Sequence, residues 1–217
     1  MEKWDEYFSK TKKKLGKRRK TFDKIFKYLD NLKQDKITIL ETGTYREENN
    51  YEGDGCSTLL FDKYVETHNG KLLSIDIDPK ACSLARSTTG SNTEIICGDS
   101  VEELSYLTGK VDLLYLDSCN LKLVQLPDGS IADDWLDDWM PAAHHLKELF
   151  AAKNIIKEGT LIVVDDNQKV PEDDIANKVI KGQRVGKGRL VYEVMDAIGF
   201  NTYFDSYQIG WIWKDEV

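Results

Sequence analysis

The sequence predicts an α/β fold with a mostly parallel sheet, and two features support this prediction. Short apolar runs rich in β-branched residues, such as ITILE at residues 37–41, are typical of strands buried on both faces. Segments with helical spacing that end at glycine alternate with these runs, as in βαβ units. The length of 217 residues suits one such domain with a sizeable core.

Residues 37–79 carry the most informative pattern. The first strand runs into a sharp turn at Gly43, a helix follows with Ser57 or Thr58 as its N-cap, and the next strand ends in Asp76. Strand, glycine loop, helix and a strand with a terminal acid form a nucleoside-binding unit. The helix N-terminus offers free N–H groups, and the acid accepts hydrogen bonds from ribose hydroxyls.

This stretch resembles motif I and the following acidic motif of class I S-adenosylmethionine-dependent methyltransferases. The G-x-G-x-x-G spacing of dinucleotide-binding proteins is absent, and segment 45–54 lengthens the loop. The resemblance implies a Rossmann-like three-layer sandwich with seven strands, mostly parallel, and an antiparallel C-terminal hairpin. The alternative is a Rossmann-like fold that binds another nucleotide, or none. By resemblance, this stretch supplies a set of cofactor-binding residues: Glu41, Gly43, Thr44, Gly55, Ser57, Thr58 and Asp76.

Residues 1–35 are predicted to form an N-terminal helical extension, and residues 36–217 to form the cofactor-binding domain. Aromatic and aliphatic residues recur at helical spacing in two segments separated by Gly16. The basic run at residues 10–20 is interpreted first as a solvated helix face, with contact to an anionic substrate or nucleic acid as the alternative. The resemblance suggests that these helices cover the substrate mouth or form a dimer contact.

Three further candidates follow the next two strands. The GDS sequence after strand TEIIC implies, by resemblance, that Asp99 and Ser100 contact the adenine. Alternatively, one of them caps the next helix. Strand VDLLYL ends in Asp117, which we expect at the same sheet edge as Gly43 and Asp76, where it would contact the cofactor and take part in catalysis.

The second half of the chain contains two long connections. Residues 118–139 are predicted to be a loop, in which Trp135 and Trp139 either form an apolar lid or anchor the following helix. An amphipathic helix and a strand follow, and residues 168–187 are predicted to be a polar loop. A last helix and two strands around a turn near Asp205 end the chain.

Asp117, Asp165 and Asp166 end neighbouring strands, and like charges held close together need a compensating partner. A divalent cation such as Mg²⁺ would serve, because it prefers oxygen ligands. The pattern resembles metal-dependent O-methyltransferases of the catechol, caffeoyl-CoA and macrolide-sugar types, which implies that these three aspartates bind magnesium. Asn167 is the alternative ligand if the strand is shifted by one residue, and Asp165 or Asp166 could instead cap the next element.

Methyl transfer from a sulfonium is an in-line displacement that depends mainly on aligning the acceptor oxygen. A bound metal would lower the pKa of the attacking hydroxyl, and a general base would assist. The lysine that the catechol type carries three residues after its first metal aspartate is Asn120 here. Lys122, His144 and His145 are therefore the candidate bases.

Composition limits the other possibilities. A formal net charge of −8 disfavours non-specific nucleic-acid binding. No apolar run approaches the length of a membrane span, and no secretory signal is visible. The four cysteines lack zinc spacing and are expected to be reduced, in a cytoplasmic protein. We therefore predict a magnesium-assisted O-methyltransferase of small hydroxylated molecules that could form a homodimer. The alternatives are a metal-independent methyltransferase of RNA or protein and an inactive binding protein.

Overall fold

The computed structural model describes residues 3–54, 56–134, 138–169 and 184–215. Seven strands of this part of the chain form the main sheet, and two pairs form separate antiparallel ribbons. The strands are β1 (Thr38–Thr42), β2 (Lys71–Asp76), β3 (Thr93–Cys97), β4 (Leu113–Leu116), β5 (Leu123–Gln125), β6 (Ile131–Asp133), β7 (Leu161–Val164), β8 (Asn167–Lys169), β9 (Arg184–Gly186), β10 (Phe204–Asp205) and β11 (Ile209–Ile212).

The order in the main sheet is β10-β11-β7-β4-β1-β2-β3. The strands from β7 to β3 along this order are parallel, and β11 is antiparallel to both β7 and β10. The predicted fold class is thereby confirmed, including the antiparallel C-terminal hairpin. The helices are α1 (Trp4–Thr11), α2 (Arg19–Asn31), α3 (Ser57–Thr67), α4 (Pro79–Thr88), α5 (Ser100–Tyr106), α6 (Trp139–Ala151) and α7 (Arg189–Ala197).

Alternation along the central strands divides the core between the two faces of the sheet. On β4, Leu113 and Tyr115 join a cluster with α1, α2 and α3 that is rich in aromatic rings. Leu114 and Leu116 join a second cluster with α5, α6 and α7. Side chains of successive strand residues point to opposite faces, so a strand that is apolar throughout is buried by helices on both sides. This arrangement gives the three layers.

The two predicted loops contain regular structure. Within residues 118–139, strands β5 and β6 form a hairpin, and Trp139 begins α6 with about half of its surface exposed. Trp135, the other residue of the predicted lid, lies outside the described residues. Within residues 168–187, strand β8 pairs with β9, so the ends of the predicted polar loop form a ribbon.

Two further expectations can be compared with the structure. All four cysteines are free thiols. Among the described residues, no helix is both long enough and apolar enough to cross a bilayer.

Candidate functional site

A cavity of about 530 Å³ lies where the parallel strands β1 to β4 end. Ligands of open α/β sheets bind outside the carboxyl ends of the strands, and this volume lies within the range of small-molecule sites. The structure brings five of the predicted cofactor-binding residues to this cavity: Gly43, Asp76, Asp99, Ser100 and Asp117. His144, one of the candidate bases, also borders it.

Asp76 fixes the turn that follows β1. Its Oδ2 accepts a hydrogen bond of 2.9 Å from the backbone N–H of Thr44, and its Oδ1 accepts one of 2.8 Å from that of Asp78. Gly43 donates its own N–H to the carbonyl of Ile75 at 2.8 Å. The carboxylate at the end of β2 therefore holds the glycine turn beside the cavity.

Glu41, Ser57 and Thr58 do not line this cavity, but Ser57 and Thr58 line a second pocket of about 20 Å³ that Gly43 and Asp117 also border. The Glu41 carboxylate is fully buried and accepts hydrogen bonds from the hydroxyls of Ser57, Thr58 (2.7 Å) and Ser74 (2.8 Å). The hydroxyls predicted to cap α3 therefore bind Glu41, and the N-cap position is occupied by Cys56, without a side-chain cap. Gly55 lies outside the described residues. Burial raises the pKa of Glu41 to about 7.

This raised pKa predicts a pH-dependent effect of Glu41→Gln on stability. Unfolded Glu41 releases its proton near its ordinary pKa of 4.5, whereas the folded protein keeps it to about pH 7. The folded state therefore loses stability relative to the unfolded state as the pH rises through this window, by about 3 kcal/mol. We expect Glu41→Gln, measured by urea unfolding, to gain most of that amount, about 2.5 kcal/mol, over the wild type between pH 5 and pH 8.

The stability of the variant is compared with that of the wild type at each pH because the titration of His145 also changes the free energy of unfolding. Its contribution rises with pH in an overlapping range, opposite to that of Glu41. Burial lowers the pKa of His145 to about 4, but this contribution is common to both proteins. The three hydroxyls around residue 41 can donate or accept, so glutamine can keep their hydrogen bonds. An equal stability difference at both pH values would mean that Glu41 is ionised in the folded protein throughout.

Asp99 and Ser100 connect the cavity to helices α5 and α6. The Asp99 carboxylate caps α5 by accepting two backbone N–H bonds, as the alternative interpretation predicted, and it also borders the cavity. The Ser100 hydroxyl donates to buried Glu148 at 2.5 Å and lies 3.1 Å from Nε2 of His144. Burial opposes the Glu148 charge, but the neighbouring histidines and hydroxyls outweigh it and lower the pKa of Glu148 to about 2.

The three candidate bases occupy different environments. The hydrogen bond to Glu148 raises the pKa of His144, which is at the cavity. His145 is fully buried behind it, with Nδ1 at 2.6 Å from the carbonyl of Pro141. Lys122 is exposed just before β5, outside the residues that line the cavity.

Asp117, Asp165 and Asp166 converge as predicted, and two cations lie among them. Lys187 Nζ is 2.6 Å from Asp117 Oδ1 and 2.9 Å from Asp166 Oδ2. The guanidinium of Arg18 is 2.7 Å from Asp165 Oδ2 and 3.0 Å from Asp166 Oδ1. Burial disfavours the Lys187 charge, but the surrounding carboxylates outweigh it and raise the pKa of Lys187 above its ordinary range.

This donor set does not fit a divalent metal. Mg²⁺ requires oxygen ligands at about 2.0–2.1 Å in octahedral geometry, and here the oxygens facing one another across the cluster already bind an ammonium and a guanidinium. Asn167, the alternative ligand, directs its amide to Ser206 and Arg184. Within the described part of the chain, no group of three or more histidine, cysteine or acidic side chains is arranged to hold a metal.

Arg18 and Lys187 are not among the residues that the sequence predicts for the site. Arg18 belongs to the basic run, yet it is buried, whereas its neighbours Lys17 and Arg19 are exposed. Lys187 falls within the predicted polar loop and is 1% exposed. One signal was available, because Lys187 stands between Gly186 and Gly188, and paired glycines indicate close backbone packing.

The comparisons with known proteins concern the same region. A family model described as a methyltransferase domain matches residues 52–167, more than half of the chain. This segment includes Asp76, Asp99, Asp117 and both aspartates after β7. No curated protein matches the sequence.

Several solved structures share the fold. The SAH-bound methyltransferase PaMTH1 of Podospora anserina is 17% identical with a TM-score of 0.54, and the match covers 98% of this chain and 88% of that one. MycE, a methyltransferase of mycinamycin biosynthesis in complex with Mg and SAH, is 16% identical with a TM-score of 0.53, covering 92% and 50%. CalS11, a TDP-rhamnose 3'-O-methyltransferase, is 11% identical with a TM-score of 0.52, covering 93% and 82%. The chain thus spans half the length of MycE.

Proposed function

We propose that this chain, which belongs to the methyltransferase-domain family and has the fold of class I S-adenosylmethionine-dependent methyltransferases, methylates an oxygen of a small hydroxylated molecule. The observation that carries the proposal is the cavity at the ends of β1 to β4. The glycine turn at Gly43 and the carboxylates of Asp76 and Asp117 line it. A cofactor that consists of a nucleoside with a reactive methyl group needs these features close together at one end of the sheet.

Each side of the cavity has a role in this proposal. Asp76 accepts hydrogen bonds from the ribose hydroxyls, and the turn at Gly43 lets the cofactor approach the backbone. Asp99 and Ser100 lie at the adenine end, and Asp117 lies where the methyl group meets its acceptor. The transfer is an in-line displacement on a good leaving group, so the protein contributes mainly by alignment.

The acceptor is proposed to be a sugar, polyketide or phenol hydroxyl. Support comes from the likeness to CalS11, a TDP-rhamnose 3'-O-methyltransferase, and to MycE, a methyltransferase of mycinamycin biosynthesis that was solved with mycinamycin VI. His144 is the candidate base at the cavity. A base must be deprotonated before it can accept a proton, and the raised pKa of His144 moves that deprotonation to a higher pH than is ordinary for histidine. No magnesium step is included, because Lys187 and Arg18 already bind the aspartates.

Titration of S-adenosylmethionine by calorimetry tests the first half of the proposal. We expect micromolar binding by the wild type and binding weaker by about 10- to 100-fold for Asp76→Asn, because hydrogen bonds to a charged acceptor contribute about 1.5–3 kcal/mol. Glu94→Gln is the matched control, since this carboxylate on neighbouring β3 is exposed and forms an ion pair with exposed Lys71 of β2. Equal affinity of Asp76→Asn and wild type would contradict the ribose assignment.

Release of S-adenosylhomocysteine during an acceptor screen tests the second half. Sugars, nucleotide sugars, macrolides and phenols would be compared with RNA and with protein substrates, each with and without EDTA. Turnover with hydroxylated small molecules supports the proposal. Turnover only with RNA or protein would replace it with the corresponding alternative, and cofactor binding with no turnover in any class would favour an inactive binding protein.

A further inference from the structure

The gap between the ends of β4 and β7 is occupied by the ammonium of Lys187. Its Nζ contacts Asp117 Oδ1 at 2.6 Å and Asp166 Oδ2 at 2.9 Å, and lies 3.4 Å from the Asp117 carbonyl oxygen. A metal bridging the two carboxylates would need the same space. Because the ammonium and a metal are both positive and would lie within bonding distance of the same oxygens, the two cannot occupy the gap together.

Arg18 occupies the other side of the cluster. Its Nε and Nη2 bind Asp165 and Asp166, and its Nη1 donates to the carbonyls of Glu52 and Gly53 at 3.0 and 3.2 Å. Guanidinium remains protonated at any pH at which a protein folds. The Arg18 guanidinium is thus held by the aspartates on one side and by backbone carbonyls on the other. Because it stays charged, it does not make room for a metal.

Both oxygens of Asp165 accept hydrogen bonds, and Oδ2 accepts three of them. Oδ1 accepts the backbone N–H of Asp166 at 2.7 Å, and Oδ2 accepts bonds from Arg18, from the hydroxyl of Tyr115 and from the amide of Gln208 at 3.2 Å. The side chain is completely buried. A metal at Oδ2 would have to displace at least one of these three buried donors, which would then lack a partner, and that displacement carries a large desolvation cost.

The backbone presents Lys187 to the cluster. Its own N–H donates to the carbonyl of Asp166 at 2.9 Å, next to the β8–β9 ribbon. Gly186 has φ of +90°, and a Cβ at Gly188 would lie 2.9 Å from Asn167 Oδ1. The two glycines therefore allow the tight backbone path that places Lys187 between them. Lysine is almost never fully buried unless its charge is paired, and here the carboxylates of Asp117 and Asp166 pair with it.

We propose that Lys187 and Arg18 replace a divalent cation in this aspartate cluster, so that the site excludes metal and obtains its positive charge from the chain itself. The location of the cluster beside a methyl acceptor rests on the proposed function. The exclusion of metal does not, because it is tested by metal binding alone.

Mn²⁺ binding, followed by loss of the electron paramagnetic resonance signal of the free ion, tests the proposal. We expect no site-specific binding by the wild type below millimolar Mn²⁺. Lys187→Met frees the oxygens of Asp117 and Asp166 and should bind Mn²⁺ at least tenfold more tightly, and adding Asp166→Asn should abolish that gain. Lys169→Met is the matched control, because Lys169 lies in the same ribbon but is exposed.

Asp166→Asn alone provides a test that does not require Lys187→Met to fold. If Lys187 excludes metal, this substitution leaves the weak Mn²⁺ binding of the wild type unchanged. Micromolar binding by the wild type that is lost in Asp166→Asn would overturn the proposal. A folded Lys187→Met protein, verified by circular dichroism, that gains no Mn²⁺ affinity would also overturn it. The titration of S-adenosylmethionine is independent of these outcomes, so the two proposals fail separately.

Discussion

Gly43→Ala should weaken S-adenosylmethionine binding by at least about a hundredfold and lower the melting temperature. Gly43 has φ of +82°, and a Cβ added there would lie 2.5 Å from the carbonyl oxygen of Asp117. The left-handed backbone costs an alanine about 1–2 kcal/mol, and the contact is with backbone atoms that cannot rotate away. The ends of β1 and β4 must separate beside the cavity, and a displacement of about 1 Å can cost a hundredfold in a precisely aligned site.

Gly129→Ala is the matched control for this prediction. Gly129 has φ of +85°, almost the same as Gly43, and a Cβ there meets no atom within 4 Å. This variant carries the same conformational cost in the β5–β6 hairpin without the contact. Calorimetry and thermal melting should therefore show a similar loss of stability from strain but unchanged cofactor affinity. Equal cofactor affinity in both variants would show that the Gly43 turn does not shape the binding site.

The sheet and the residues at the strand ends beside the cavity could be predicted because their signals are local. An apolar β-branched run specifies a buried strand, and the residue after it lies at the sheet edge whatever the rest of the chain does. Gly43, Asp76 and Asp117 each follow such a run. Parallel pairing then brings them together without any information about side-chain packing.

The cations of the aspartate cluster could not be predicted in this way. Arg18 meets Asp165 across 147 positions of sequence, and no local pattern distinguishes it from the exposed lysines around it. Its burial depends on the 3₁₀ turns at Lys12–Lys14 and Gly16–Arg18, which interrupt the helical path between α1 and α2. The basic run therefore does not share one helix face, and one member is turned inward.

The functional prediction changed with these contacts. Three acids at neighbouring strand ends require positive charge, and that part of the sequence argument agrees with the structure. The sequence pattern suggests a metal as that partner, and periodicity cannot show that basic side chains from elsewhere in the chain take its place instead. The choice depends on the β8–β9 ribbon, which carries Lys187 back to the cluster, and on α2, which follows Arg18 directly.

Arg18→Met should lower the free energy of unfolding by about 3–5 kcal/mol, because it leaves the buried carboxylate of Asp165 without its cation. The adjacent Arg19→Met changes an exposed residue and should stay within about 0.5 kcal/mol. Urea unfolding at pH 7 measures both. Adding Asp165→Asn to Arg18→Met removes the unpaired charge and should recover part of the loss. If Arg18→Met lowers the free energy of unfolding as little as Arg19→Met does, the charges of Arg18 and Asp165 do not stabilise each other. The ion pair between them would then be wrong.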